Sequence, residues 1–363
     1  MKRRLAILEH DLFSLEGDGK TLPYGRIFAK GLNSHQRYDM LKTHWDSFVE
    51  PVCVKLDMSR WDKHFNNTLR KLEHDMYMSK FKGDRLFRRL LKWQKEIRGY
   101  GYAGSRQPEN KFTFRVEGIQ PSGCVNTGLG NSLIVTSIIW AYCKHNGINA
   151  RLCDDGDDIL VLCEKRQEGR LNKLDSWCND LGIKLTLENI VYKFNEIVFC
   201  QCRPFNQKMV RSPSRVLGRA FGGRTGWGKN SADMFTSVGL CEYIANRGVP
   251  VVSRLMYQAY KHGLSVGGHF NAGLIDDYKR EEHLIGMNIN KSREYVYIPP
   301  NIAERERFVE DYGCSVEEQL KLEELISKVE FVWEPPQVQS VYITLMKHNF
   351  SDLQNILHQQ FQL

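Results

Sequence analysis

The chain has 363 residues, 42% of them hydrophobic and 26% charged, with a formal net charge of +8. That length buries a substantial core over two or three subdomains, and the ordinary composition excludes disordered, collagen-like and disulfide-dense classes. The mild positive balance is either a well-solvated surface or the complement of a polyanionic substrate.

The opening Met1-Lys2-Arg3-Arg4 looks like the charged start of a signal peptide, but the apolar run at 5–8 is too short and Glu9-His10-Asp11 ends it. The longest apolar stretch, residues 133–143, is too short to cross a bilayer, so no transmembrane segment is expected. Ten cysteines lack paired C-x-x-C spacing. That argues against a zinc site or a secreted disulfide framework and for free thiols.

Residues 1–50 mix short helical patterns with turns. Val52, Val54 and Leu56 alternate with Cys53 and Lys55, predicting a half-buried strand that ends at Asp57. Ser59-Arg60-Trp61-Asp62 then reads as a strand-to-helix transition, where ligands gather in sheet proteins. Asp57 is either a ligand-binding carboxylate or a simple helix cap. Residues 79–98 predict a basic amphipathic helix with Leu86, Leu90, Trp93 and Ile97 in one stripe. Arg85, Arg88, Arg89, Lys92 and Lys95 crowd its other face, as a solvated surface or a grip on a phosphate backbone. The glycines from Gly99 to Gly104 end it.

Residues 111–116 alternate as a strand and lead into a loop from Gln120 to Asn131. Gly123, Gly128 and Gly130 permit close backbone approach. An apolar helix through Ile138, Ile139 and Trp140 follows. The glycine spacing fails the dinucleotide-binding pattern. An N-capped buried helix explains the glycines, but not why Ser122, Asn126, Thr127 and Asn131 cluster at its start.

At residues 152–163 two apolar runs flank Asp154-Asp155-Gly156-Asp157-Asp158, a strong hairpin signal. The turn needs only Asp155-Gly156. The further carboxylates repel one another unless a divalent cation sits between them. Alone, the pattern fits a metal site or a charged hairpin tip equally, and it lacks the alternating ligands and closing Glu of a calcium loop. A helix over 170–181 stopped by Gly182 follows, then strands at 185–187 and 197–200. Beyond Pro204 the helical patterns lengthen, with a capping box at Ser315 and Glu318. Pro335-Pro336 sets off a last helical tail. This half reads as support and binding surface.

A strand-end Asp57, a hairpin with Asp157 and Asp158, and a polar loop between them suit phosphoryl transfer. Carboxylates on adjacent strand ends can hold two ions about 3.5–4 Å apart, one activating a hydroxyl and one stabilising the leaving pyrophosphate. The order and spacing of Asp57-Met58-Ser59-Arg60-Trp61-Asp62, Ser122-Gly123 with Asn126-Thr127 and Asn131, and Gly156-Asp157-Asp158 resemble polymerase motifs A, B and C. They resemble those of the RNA-dependent RNA polymerases of positive-strand RNA viruses, specifically the tombusvirus-like group. Lys30-Gly31-Leu32-Asn33 and Trp45-Asp46-Ser47-Phe48-Val49-Glu50-Pro51 resemble that group's run into motif A, and Phe199-Cys200-Gln201-Cys202-Arg203-Pro204 its motif E. The likeness covers about residues 5–215.

The resemblance implies an α+β right-hand fold of fingers, palm and thumb, with a ferredoxin-like antiparallel palm sheet and a mainly helical thumb. Residues 1–51 would be partial fingers, 52–68 palm, 69–112 a fingers insertion, 113–205 palm, and 206–363 thumb and tail, the last by position only. It implies a nucleotidyltransferase that joins NTPs to an RNA 3′-hydroxyl under template direction, using two Mg²⁺ ions or Mn²⁺ in their place. Asp57 and Asp157 would be the principal metal ligands, with Asp158 supporting them. Asp62 and Asn131 would select the ribose 2′-hydroxyl with Ser122 and Thr127, and Gly123 would be the pivot of the motif B loop. Cys200, Gln201, Cys202 and Arg203 would grip the primer, and Lys184 and Lys193 both fit the general acid. Arg85, Arg88, Arg89 and Lys92 are candidate RNA contacts.

Implied partners are the single-stranded RNA template, the nascent RNA, NTPs and an upstream viral replication protein or replicase region. The implied setting is the host cytoplasm, at membrane-associated replication complexes held there by other viral proteins. The family's arginine-rich motif F should precede motif A, yet residues 5–13 resemble the segment just after it. The chain is therefore expected to be a fragment, or the downstream part of a frameshift or readthrough product, with Lys2, Arg3 and Arg4 weak substitutes. A catalytically incomplete RNA-binding fragment is the alternative. Reverse transcription is more distant, because reverse transcriptases exclude the 2′-hydroxyl that Asp62 and Asn131 would welcome.

Overall fold

The computed structural model describes residues 1–58, 61–121, 124–156, 158–220, 231–271, 294–328 and 331. The chain is α+β and divides into two compact units, Met1–Lys30 with Met40–Cys200, and Gly31–Asp39 with Gln201–Leu363. In chain order come α1 (Lys2–Phe13), β1 (Glu16–Gly17), β2 (Gly25–Arg26), α2 (Ser34–Trp45), β3 (Pro51–Asp57), α3 (Trp61–His64), α4 (Asn67–Lys80) and α5 (Arg85–Lys92). Then follow β4 (Glu96–Tyr102), β5 (Lys111–Glu117), α6 (Thr127–His145), β6 (Arg151–Asp155), β7 (Asp158–Glu164), α7 (Leu174–Asp180) and β8 (Thr186–Val191).

The first unit is built on a four-stranded antiparallel sheet of order β6-β7-β3-β8. With α3, α4, α5, β4 and β5 inserted after β3, the strands and the two helices α6 and α7 follow in the order β3-α6-β6-β7-α7-β8, a β-α-β-β-α-β succession. Val52, Val54 and Leu56 of β3 pack with Ile134, Val135, Ile138 and Ile139 of α6 in one core. The predicted β3 is thus present, but it is buried on both faces rather than one. Cys53 on its other face is 1% exposed. The central strand β7 is likewise buried from Ile159 to Cys163, the near-continuous apolar run of a strand covered on both sides.

The single helix expected over residues 79–98 is not there. α4 ends at Lys80, Asp84 caps a short α5 by accepting from the Phe87 amide at 2.8 Å, and β4 begins at Glu96. The apolar stripe is also different. Phe87 and Leu91, four residues apart, are buried, whereas Leu86 and Trp93 are 57% and 66% exposed. From Ile97 on, the pattern has period two rather than 3.6, so Gly99 and Gly101 lie inside a strand instead of ending a helix. The expected strand at 197–200 is absent too: Phe199 makes only an isolated bridge position. Cys200 and Gln201 have φ of 49° and 63°, which turns the chain there. The helix over 170–181 is partly a 3₁₀ run, Lys165–Lys173, before α7.

The second unit holds β9 (Cys202–Phe205) paired with β10 (Lys208–Arg211), then α8 (Pro213–Arg219), α9 (Ser231–Ala245), α10 (Val252–Ser265), α11 (Ile302–Tyr312) and α12 (Val316–Ser327). The predicted capping box is present: Ser315 accepts from the Glu318 amide while Glu318 accepts from that of Ser315. Its core runs from Phe205 through Met234, Phe235 and Met256 to Phe308 and Ile326. The buried pair Arg305–Glu323, 2.8 Å apart, ties α11 to α12. All ten cysteines are free thiols. Among the described residues no helix is long and apolar enough to cross a membrane, and Pro335-Pro336 with the final tail lies outside them.

Candidate active site

Strand register collects acidic side chains at one end of the sheet. Asp57 on β3 lies opposite Asp158 on β7, and Asp158 lies opposite Asp155 on β6. Directly opposed residues share a face with Cβ atoms about 4.5–5.5 Å apart, and like charges so placed destabilise a sheet. Two features offset that cost. The Lys30 Nζ stands 3.6 Å from Asp155, and the Cys200 amide donates to an Asp158 oxygen at 2.9 Å. The Cys200 thiol also donates to Asp155 at 3.4 Å.

A row of hard oxygen donors fits a hard divalent cation such as Mg²⁺ or Mn²⁺ and suits soft metals poorly. Among the described residues no group of three His, Cys, Asp or Glu side chains closes on one ion-sized point. Asp157, the hairpin's principal predicted ligand, lies outside those residues, as do Ser122 and Gly123.

The turn is held from beneath by Asp154, which is fully buried. One oxygen accepts from the Gly156 amide at 2.9 Å and the other from the Thr136 hydroxyl of α6 at 2.8 Å. Burial pushes its carboxyl up to about 7, against hydrogen bonds from Ser132, Gly156 and Thr136. Residues 27–29 run parallel alongside. Asp154 N–H donates to the Ile27 carbonyl at 2.9 Å and Ala29 N–H to that of Asp154 at 2.8 Å, which delivers Lys30 to Asp155. Sequence reasoning missed both roles. Asp154 was visible as an acid two residues from Leu152 on the same strand face, and Lys30 appeared only within a family likeness.

The helix that opens after the polar loop carries the second half of the site. Asn131 on α6 donates through Nδ2 to Asp62 on α3 at 3.4 Å, so the two predicted ribose-reading residues do meet. The Thr127 hydroxyl donates to the Pro121 and Cys124 carbonyls at 3.0 and 3.1 Å, closing the loop onto the helix start. Asn126 is buried and donates to Glu73 at 2.6 Å; Gln94 donates to Asn126 at 2.6 Å. Glu73 also accepts from Arg70 and Tyr77, each at 2.7 Å. Burial raises its carboxyl pKa even so, with Arg70 the chief opposing influence. The only sequence signal for this network is the i, i+3 and i+4 spacing of Arg70, Glu73 and Tyr77 on α4.

Thr186 of β8 pairs with Asp57, and exposed Lys184 lies two residues before it, at the carboxylate end of the sheet. Lys193 follows Val191, which pairs near Cys53 at the far end roughly 17 Å along the strand, and it faces Glu196 at 3.6 Å. Cys202 and Arg203 begin β9, and Arg85, Arg88, Arg89 and Lys92 are exposed on α5.

The family described as viral RNA dependent RNA polymerase matches residues 1–334. The RNA-directed RNA polymerase of Melon necrotic spot virus is 33% identical over 261 residues, covering 70% of this chain and 32% of that protein. That of Tobacco necrosis virus (strain D) is 31% identical over 339 residues, covering 87% and 44%. That of Tomato bushy stunt virus (strain Cherry) is 28% identical over 321 residues, covering 83% and 36%. The chain spans less than half the length of these curated relatives.

Proposed function

We propose that this chain, which belongs to the viral RNA-dependent RNA polymerase family and within it to the tombusvirus-like group, carries the metal-binding core of template-directed RNA synthesis. The observation that carries the reading is the in-register row of Asp57, Asp158 and Asp155 on adjacent strands. In this reading the β-α-β-β-α-β sheet is a ferredoxin-like palm within a right hand. Residues 1–51 and 69–112 are fingers, 52–68 and 113–205 palm, and 206–363 thumb and tail.

Asp57, Asp157 and Asp158 hold two Mg²⁺ ions, or Mn²⁺ in their place. Bound there, the metals would lower the barrier by activating the primer 3′-hydroxyl and neutralising the pyrophosphate leaving group. The chain's own residues position and select. Asp62 and Asn131, with Ser122 and Thr127, accept a ribose 2′-hydroxyl, and Gly123 is the pivot of the motif B loop. Lys184, at the carboxylate end of β8, is favoured over Lys193 as proton donor to pyrophosphate. Cys200, through its amide on Asp158, joins Gln201, Cys202 and Arg203 in a grip near the primer end. Arg85, Arg88, Arg89 and Lys92 meet RNA phosphates. Template, nascent RNA and NTPs are the ligands, and an upstream viral replication protein brings the chain to host cytoplasmic membranes.

Primer extension on a short RNA template-primer with Mg²⁺ tests this. Asp57→Asn and Asp158→Asn each lower synthesis on the order of 100-fold or more while RNA binding persists. The second reading is an RNA-binding chain without chemistry. It predicts no synthesis from the parent chain and binding indifferent to both substitutions. Asn131→Ala relaxes discrimination of NTP over dNTP by about 10-fold; unchanged discrimination sinks the ribose assignment.

A further inference from the structure

The hairpin β4–β5 takes no part in the chemistry above. It is in register from Glu96–Glu117 to Tyr102–Lys111 and forms a two-stranded sheet of its own among the described residues. Period-two alternation puts Tyr100 and Tyr102 on one face and Phe112 and Phe114 on the other. A two-stranded ribbon ordinarily needs a buried face for stability, yet these rings are 64%, 36%, 51% and 42% exposed. The phenylalanines lie over Gly101 and Gly99 of the facing strand, where an added methyl group would collide with their rings. They stiffen the ribbon from behind.

The tyrosine face is different. Tyr100 and Tyr102 stand edge to face at 6.1 Å, and the Lys111 ammonium sits 4.7 Å from the Tyr100 ring centre. Arg98 and Arg115 are spent on Glu96, whereas Lys111 lies opposite Tyr102 and exposed Arg106 lies in the loop that joins the two strands. Residues 80–117 contain eleven Lys and Arg against four Asp and Glu, a local +7 within a chain of +8. A protein partner or second copy would cover exposed rings, but protein interfaces deplete lysine. Stacking platforms for unpaired nucleic acid combine rings with cations.

We propose that the tyrosine face of this hairpin binds single-stranded RNA. Bases stack on Tyr100 and Tyr102 while phosphates meet Lys111 and Arg106. The inference rests on the polymerase reading only in naming RNA as the polyanion.

The test is fluorescence anisotropy of the full chain with a short labelled oligouridylate and with an RNA duplex of equal length, over a salt series. Tyr100→Thr with Tyr102→Thr, which keeps strand propensity, weakens oligouridylate binding by about 10-fold or more with an unchanged salt slope. Tyr100→Phe with Tyr102→Phe retains affinity. Arg106→Gln with Lys111→Gln flattens the slope by about 0.7 for each phosphate no longer neutralised. Duplex binding moves little in every case.

The proposal falls if the threonine variant, folded by circular dichroism, binds within about 2-fold of the parent, a margin below one stacked base. It falls equally if duplex binding drops in parallel, or if the tyrosines govern self-association in sedimentation but not RNA affinity. Asp158→Asn separates the two readings, since it removes synthesis and spares binding. Tyrosine-dependent binding in a chain that never synthesises upholds the platform and sinks the polymerase assignment. Synthesis with tyrosine-independent binding does the reverse.

Discussion

Glu73 is the side chain on which the start of α6 depends. It is fully buried and accepts hydrogen bonds from Arg70, Tyr77 and Asn126. Removing one partner of such a buried charge typically costs about 3–5 kcal/mol, because the other is left uncompensated. Gly130, one turn into α6, lies against it: an added Cβ would sit 2.3 Å from a Glu73 oxygen and 3.4 Å from the Tyr77 hydroxyl. In an exposed helix Gly→Ala stabilises by about 1 kcal/mol. Here Gly130→Ala reverses sign and destabilises by about 1–3 kcal/mol, since the three bonds forbid Glu73 to swing away. Urea denaturation measures it, and a stabilised variant would show that the network yields freely. The glycine's need for close approach was readable in the sequence. What approaches it was not, because Glu73 is 57 residues away along the chain.

At the scale of elements, the acidic hairpin is a joint between β6–β7 and α6 rather than a free tip. Asp154 makes the joint through Thr136 and Gly156. With its carboxyl raised to about 7, Asp154 is mostly neutral at pH 5 and mostly ionised at pH 8. An ionised carboxylate loses more than a neutral one when a hydroxyl donor disappears. Thr136→Val therefore destabilises by about 1–3 kcal/mol at pH 8 and by less at pH 5, as paired denaturation curves would measure. Equal losses at both pH values would mean that the Asp154 proton is not coupled to α6. The residue 79–98 stretch carries the opposite lesson. Its leucines and arginines look helical as composition, but Ile97, Gly99 and Gly101 keep strand period, and Phe112 and Phe114 cover the glycines. Strand pairing with residues 111–117 decided the outcome against local propensity.

At the scale of the whole molecule, the first unit buries two histidines in neutral form. His44 donates through Nε2 to the Arg26 carbonyl at 2.9 Å, and His74 meets Gln94 at 3.1 Å; burial lowers each to about 4. A folded pKa below the unfolded value of about 6.5 means stability present above that pH and lost as pH falls towards 4. Each contributes a slope of up to about 1.4 kcal/mol per pH unit in that window. Relative to the parent, His44→Gln with His74→Gln should therefore lose less stability between pH 6.5 and pH 4, as read by denaturant midpoints. Curves that fall in parallel would place the acid sensitivity elsewhere. By itself the sequence determined the strand at Asp57, the acidic hairpin, the apolar helix after the glycine loop and the capping box at Ser315. Each is a local pattern of period, turn residue or cap acting over a few positions. Only the tertiary structure decided that Asp57 and Asp158 stand in register, that Asn131 reaches Asp62, and that Lys184 rather than Lys193 lies at the carboxylate end. Those are pairings across roughly 70 to 130 positions, set by strand register and by the closure of one core, and no local pattern encodes them.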